Sequence, residues 1–321
     1  MRRHRRWNRR VRTVPLQFTA LALAWGSSFL FIKEGLTGLS PVQVTAARMT
    51  IGAVVLAGIA IAVRAPRIRD PRAVAHITVV SLTLCVIPFT LFGWAEQRID
   101  SGLASIINAT TPLMTVLVTC VALRSERPTR NQLLGLAVGF AGVVLVLAPA
   151  ASGTAGSVAG QLACLAATAS YGVAFVHLRR FVTPLALPAS SVALYQVGIG
   201  AVAIAAYALA VDRHTVTATP RVALAMLGLG AVGTGLAYLW NTNIVAAWGA
   251  AAAASVTYLT PVVGVLLGTA VLGERPAWNQ PVGGLVVLAG IVLSRRGGAR
   301  APRPRGGVPN RAARTRRTTP R

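Results

Sequence analysis

Arg48 is the single charged residue that falls within a long apolar run of this chain. It stands about six residues from the end of its run, so about 9 Å deep if the run is a helix rising 1.5 Å per residue. An uncompensated Arg in the centre of a bilayer costs roughly 2.5 to 3.5 kcal/mol on insertion scales. Two readings follow: the side chain snorkels outward, or it holds a carboxylate-bearing substrate or a gate. Ser105, Asn108 and Thr111 recur every three residues and share one helix face, with Thr115 four residues on. Thr257 and Thr260 occupy the matching positions of a later run. Facing lipid is unfavourable for such groups, so the stripes face protein or a wet cavity. Interhelical hydrogen bonding alone, worth about 0.6 kcal/mol each on average, accounts for them equally well.

Pro112 and Pro261 each delete a helix hydrogen bond inside an apolar run, which exposes backbone groups to a ligand or merely kinks the helix. Trp25, Tyr171 and Tyr238 lie deep enough in their runs to line a cavity and stack on an apolar or cationic ligand. Trp94 and Trp240 lie near run ends, where aromatic belts are expected whatever the function. His177, beside Arg179 and Arg180, reads as an interfacial histidine or a proton-coupling group. No run holds a paired carboxylate or a nucleophile with base and orienter, and the seven acids read as peripheral. Enzymatic chemistry is therefore not expected. No Gly-x-x-x-x-Gly-Lys-Ser/Thr phosphate loop occurs. Cys85, Cys120 and Cys164 each stand alone, so neither a disulfide, a metal site nor a cofactor is expected.

The elements that must position these residues are membrane helices. Of 321 residues, 54% are hydrophobic and 12% charged, where a soluble domain carries about a quarter charged. The net charge of +25 would suggest nucleic acid, but the basic residues crowd the two ends, and the 297–321 stretch of Gly, Pro and Arg has no apolar period. It reads as a disordered tail, and nucleic acid is not the expected partner. Beside a membrane, such tails attract anionic lipid headgroups at about 1 kcal/mol per charge. Arg2-Arg3 and the apolar run behind them imitate a cleaved signal, but the run has a counterpart later in the chain and is expected to be retained.

Runs long enough to cross a bilayer fall near 14–32, 42–63, 74–94, 102–123, 131–148, 158–178, 190–211, 222–240, 246–272 and 279–294. The fifth and tenth are short. The expected fold is thus all-α and integral to the membrane, with a basic N-terminal tail over 1–13, one unit over 14–148, a second over 149–296 and the C-terminal tail. Lys and Arg number nine in the connections on the N-terminal side and five on the other. Both termini are therefore expected in the cytoplasm of a multi-pass plasma-membrane protein.

The two units repeat each other. Glu126-Arg127-Pro128, followed after two residues by Asn131-Gln132, recurs as Glu274-Arg275-Pro276 before Asn279-Gln280. Gly135 and Gly142 match Gly283 and Gly290, Thr111-Pro112 matches Thr260-Pro261, and Ile51-Gly52-Ala53-Val54 returns as Ile199-Gly200-Ala201-Val202. Five spans per unit is odd, so the units enter the membrane from opposite sides as an inverted repeat of two five-helix bundles. Gly135, Gly139, Gly142, Gly283, Gly284 and Gly290 allow close helix contact, within the monomer or across a homodimer.

With Trp25-Gly26-Ser27-Ser28, Ser40-Pro41 ahead of Arg48, and the paired Thr-Pro and Glu-Arg elements, the chain resembles the EamA-type branch of the drug/metabolite transporter superfamily over roughly 18–294. The resemblance implies a ten-helix secondary carrier of amino acids, related metabolites or drugs, working by alternating access around a central cavity. Ser28 joins the candidate binding residues on this basis. The second unit departs from the first where Gln196 stands for Arg48 and where Val173-Ala174 stand for Ser27-Ser28. A scaffold or sensor whose basic tails recruit partners is the competing expectation.

Overall fold

The computed structural model describes residues 2–122, 129–148, 157–248 and 255–296. The first Glu-Arg-Pro element, the start of the expected ninth span and the C-terminal tail lie outside them. Among the described residues every regular element is a helix: α1 (Arg2–Gly26), α2 (Ser28–Gly35), α3 (Pro41–Ala62), α4 (Pro71–Ser81), α5 (Ile87–Glu96), α6 (Ser101–Asn108), α7 (Thr111–Ala122), α8 (Arg130–Leu147), α9 (Val158–His177), α10 (Ala189–Val211), α11 (Pro220–Leu227), α12 (Ala237–Trp248), α13 (Thr260–Leu272) and α14 (Asn279–Arg296). Wide π-helical turns over Leu82–Val86, Leu178–Val182 and Gly228–Leu236 interrupt three of the runs. Among the described residues, eight helical runs are long and apolar enough to cross a membrane, and Val256–Leu272 and Asn279–Ser294 are shorter apolar helices. The helix already begins at Arg2, so the basic segment expected as a tail continues the helix of the first run.

Local chemistry sets the helix starts. Ser40 and Gln43 close a capping box at α3 with Pro41 in its first turn, and Thr129 and Gln132 do the same at α8. Asp70 before Pro71 and Thr219 before Pro220 start two of the three runs that contain π turns.

Helices of residues 2–148 pack on those of residues 157–296 in matching pairs. The helix α9 lies on α5 and α7, as α1 lies on α12 and α13; α3 meets the Gly228–Leu236 turn, as α10 meets α4 and the Leu82–Val86 turn. The helices α8 and α14 share the closest contact. A Cβ on Gly135 would stand 2.5 Å from the Gly290 carbonyl oxygen, and one on Gly142 would stand 2.6 Å from the Val287 nitrogen. These glycines thus bring two backbones together within one chain. The outer surface stays apolar, with Leu209, Ile61, Val202 and Leu285 exposed, as lipid requires and water does not.

Candidate functional site

Arg48 turns inward rather than snorkelling. It is 8% exposed, its Nε donates to the Thr234 hydroxyl at 3.0 Å, and its guanidinium carbon lies 3.6 Å above the centre of the Phe89 ring. The wide turn over Gly228–Leu236 carries Thr234 to this position, and its hydroxyl also donates to the Leu229 carbonyl at 3.2 Å. A π turn inserts a residue into the helical period and so redirects the side chain that follows.

The same construction recurs in the other half with different chemistry. Gln196, the counterpart of Arg48, donates through Nε2 to Cys85 Sγ at 3.3 Å and to the Tyr238 hydroxyl at 2.8 Å. Cys85 sits on the Leu82–Val86 turn as Thr234 sits on its own, and Tyr238 stands to Gln196 as Phe89 stands to Arg48. Tyr171 on α9 lies beside both clusters, packed against the same core as Phe89, Cys85 and Tyr238, with its ring centre 6.2 Å from that of Phe92. Among the described residues, the two terminal nitrogens of Arg48 donate no hydrogen bond to protein. A buried guanidinium with its planar fork left over can take a carboxylate or similar anion bidentately.

Arg48, Tyr171 and Tyr238 are therefore brought together, and the structure adds Phe89, Thr234, Gln196 and Cys85. The other expected residues lie elsewhere. Trp25 packs half-buried beside Leu21, Ala237 and Val256, and the Ser28 hydroxyl donates to the Ala24 carbonyl at 2.9 Å. Asn108 and Thr111 flank a break in the fourth run, where the Thr111 hydroxyl donates to the Asn108 carbonyl at 2.7 Å. Thr257 and Thr260 flank the corresponding break before α13, and the Thr260 hydroxyl reaches the Val256 carbonyl at 3.5 Å. Pro112 and Pro261 each occupy the first turn of the helix that resumes, so they interrupt the run rather than bend it.

One end of the bundle is tied across by charges. The Lys33 ammonium donates to the carbonyls of Glu96 at 2.5 Å and Ile99 at 2.9 Å. Glu274 accepts the Ser101 and Gly102 N–H groups at 2.7 and 2.9 Å, capping α6. Arg221 pairs with Glu34, and the Ser40 hydroxyl donates to Asp212. That hydroxyl, with the His214 N–H, holds Asp212 below the ordinary carboxylate range, whereas half-burial and then the nearby Glu274 push Asp100 above it, against the pull of Lys33. Glu34 and Glu96, expected at the periphery, are buried at this end. At the opposite end His76 and His177 stand 3.2 Å apart, nitrogen to nitrogen, with Phe181 stacked on His76 and tilted to His177.

The EamA-like transporter family model matches residues 15–148 and again 158–296. A relative from Streptantibioticus cattleyicolor, named "Probable terminal-alkyne amino-acid exporter", is 28% identical over 85% of this chain and 90% of its own length. The inner membrane transporter YedA of Escherichia coli K12 is 25% identical over 85% and 88%, and the transporter YdfC of Bacillus subtilis is 23% identical over 84% and 87%. A solved crystal structure, 22% identical, superposes with a TM-score of 0.62 over 88% of this chain and 97% of that one, a likeness of fold.

Proposed function

Since the chain belongs to the EamA-like transporter family, we propose that it is a secondary carrier of a small amino-acid-like solute, bound between two inverted five-helix repeats and released to either side by alternating access. Ten crossings with both termini in the cytoplasm complete this reading, which places the Lys33 end on the outer side. The observation that carries it is Arg48, buried inside the bundle with its terminal nitrogens unspent on protein among the described residues. A carboxylate satisfies them, and the Phe89, Tyr171 and Tyr238 rings beside it suit the body of an amino acid or a bulkier metabolite. The exporter named in the Streptantibioticus relative fits the same substrate class.

Full-length protein in liposomes should move some amino-acid-like solutes without ATP. Charge-assisted hydrogen bonds contribute about 1.5 to 3 kcal/mol, so Arg48→Ala should slow uptake of zwitterionic or anionic solutes about tenfold or more and spare a cationic one. Equal loss for both charge classes would reassign Arg48 to structure, and no flux across a broad panel by folded protein would defeat the carrier reading.

A further inference from the structure

Glu96 ends α5 with its side chain at 0% exposure, and neither carboxylate oxygen has a hydrogen-bond partner. The nearest cation does not serve it. Lys33 spends its ammonium on the main-chain carbonyls of Glu96 and Ile99 instead. The ionisable groups close enough to act on the carboxyl are Lys33 from α2, Arg48 from α3, Glu274 from the connection before α14 and Cys164 from α9. Lys33 is already tied, Arg221 is paired with Glu34 and Arg48 donates to Thr234, so none of these cations gives the carboxylate a hydrogen bond. An ionised carboxylate buried without hydrogen bonds loses several kcal/mol of hydration that nothing returns. The neutral acid loses far less.

We propose that Glu96 is a proton-binding site that is loaded while the Lys33 end is closed and unloads when that end opens. Opening separates Lys33 from the end of α5 and admits water to the carboxyl. The O–H bond then breaks, the electron pair stays on the carboxylate oxygen, the proton passes to that water, and the freed ammonium stabilises the anion. Closing requires the proton back. The site thus makes movement of this end depend on proton uptake and release, which on the carrier reading couples solute flux to a proton gradient.

The test uses the full-length protein in lipid. Infrared difference spectra between mildly acidic and mildly alkaline pH should contain a protonated-carboxyl stretching band that disappears in alkali and is absent from Glu96→Gln. The amide closely matches the neutral acid in shape, so this variant should melt within a few degrees of wild type. If it does not accumulate, Glu96→Asp, one methylene shorter, should shift the same band. In liposomes the pH dependence of solute flux should flatten in Glu96→Gln. Wild-type protein that moves no solute while the band titrates defeats the carrier reading alone. A band that never titrates, a band unaltered by both substitutions, or a flux whose pH dependence matches between wild type and Glu96→Gln overturns the proton site.

Discussion

Asp100 and Asp212 sit at the same end of the bundle and respond to pH in opposite senses. Asp212 is better solvated by Ser40 and the His214 N–H when folded, so its contribution to stability is present above its unfolded pKa and is lost as pH falls through the folded one. Asp100 binds its proton more tightly when folded, so its contribution is present in acid and is lost as pH rises through the folded pKa. Its side chain caps nothing, because Glu274 already takes the first N–H groups of α6. Asp100→Asn should therefore raise the melting temperature at neutral pH and reduce its fall between acidic and neutral buffers. A lower melting temperature at every pH would mean that the carboxylate is a net stabiliser. Charge alone singled out Arg48 in the sequence, since one Arg in an apolar run is conspicuous wherever its side chain turns. Glu96 was hidden for the converse reason: an acid at the end of a run normally reaches water, and the packing of α2, α6 and α9 around α5 denies it that.

Between α8 and α14 the backbones approach so closely that a single methyl group has nowhere to go. A Cβ on Gly290 would lie 2.5 Å from the Gly139 nitrogen, whereas one on Gly58 of α3 meets nothing within 4 Å. Gly290→Ala should destabilise the detergent-solubilised protein by about 1 to 3 kcal/mol, the usual range for overpacking. Gly58→Ala should leave it unchanged or stabilise it by about 0.5 to 1 kcal/mol, as a helical Gly→Ala exchange does. Equal effects in a chemical-denaturation series would show that propensity rather than contact governs these positions. The glycine spacing and the Thr-Pro pairs were readable in advance because they obey the helical period. The meeting of Gln196 with Cys85 and of Arg48 with Thr234 was not. Each depends on a π turn, which shifts the face of every later side chain and which apolar periodicity does not register.

At the scale of the molecule, the two halves are joined across one end by few polar contacts, and Glu274 from the second half secures the start of a helix in the first. Losing such a cap costs about 1 kcal/mol, enough for an about fivefold rise in the population open at this end. In a Cys85→Ser, Cys120→Ser background, Glu274→Ala should speed labelling of the buried Cys164 by a membrane-impermeant maleimide several-fold. An unchanged rate would separate this end from the gating motion. Repeated sequence elements revealed the two halves, but not which end carries the polar ties, since a repeat marks both halves alike and the ties depend on how they pack. The paired clusters at the centre also differ in charge, with a guanidinium on one side and a carboxamide on the other. On the proposed carrier reading, a bound zwitterion keeps its acidic group on the Arg48 wall throughout the cycle, and the gate nearer that wall feels it more. Half-saturation measured from the cytoplasmic compartment should then differ from that measured from outside, so two related halves would enclose a passage with unequal doors.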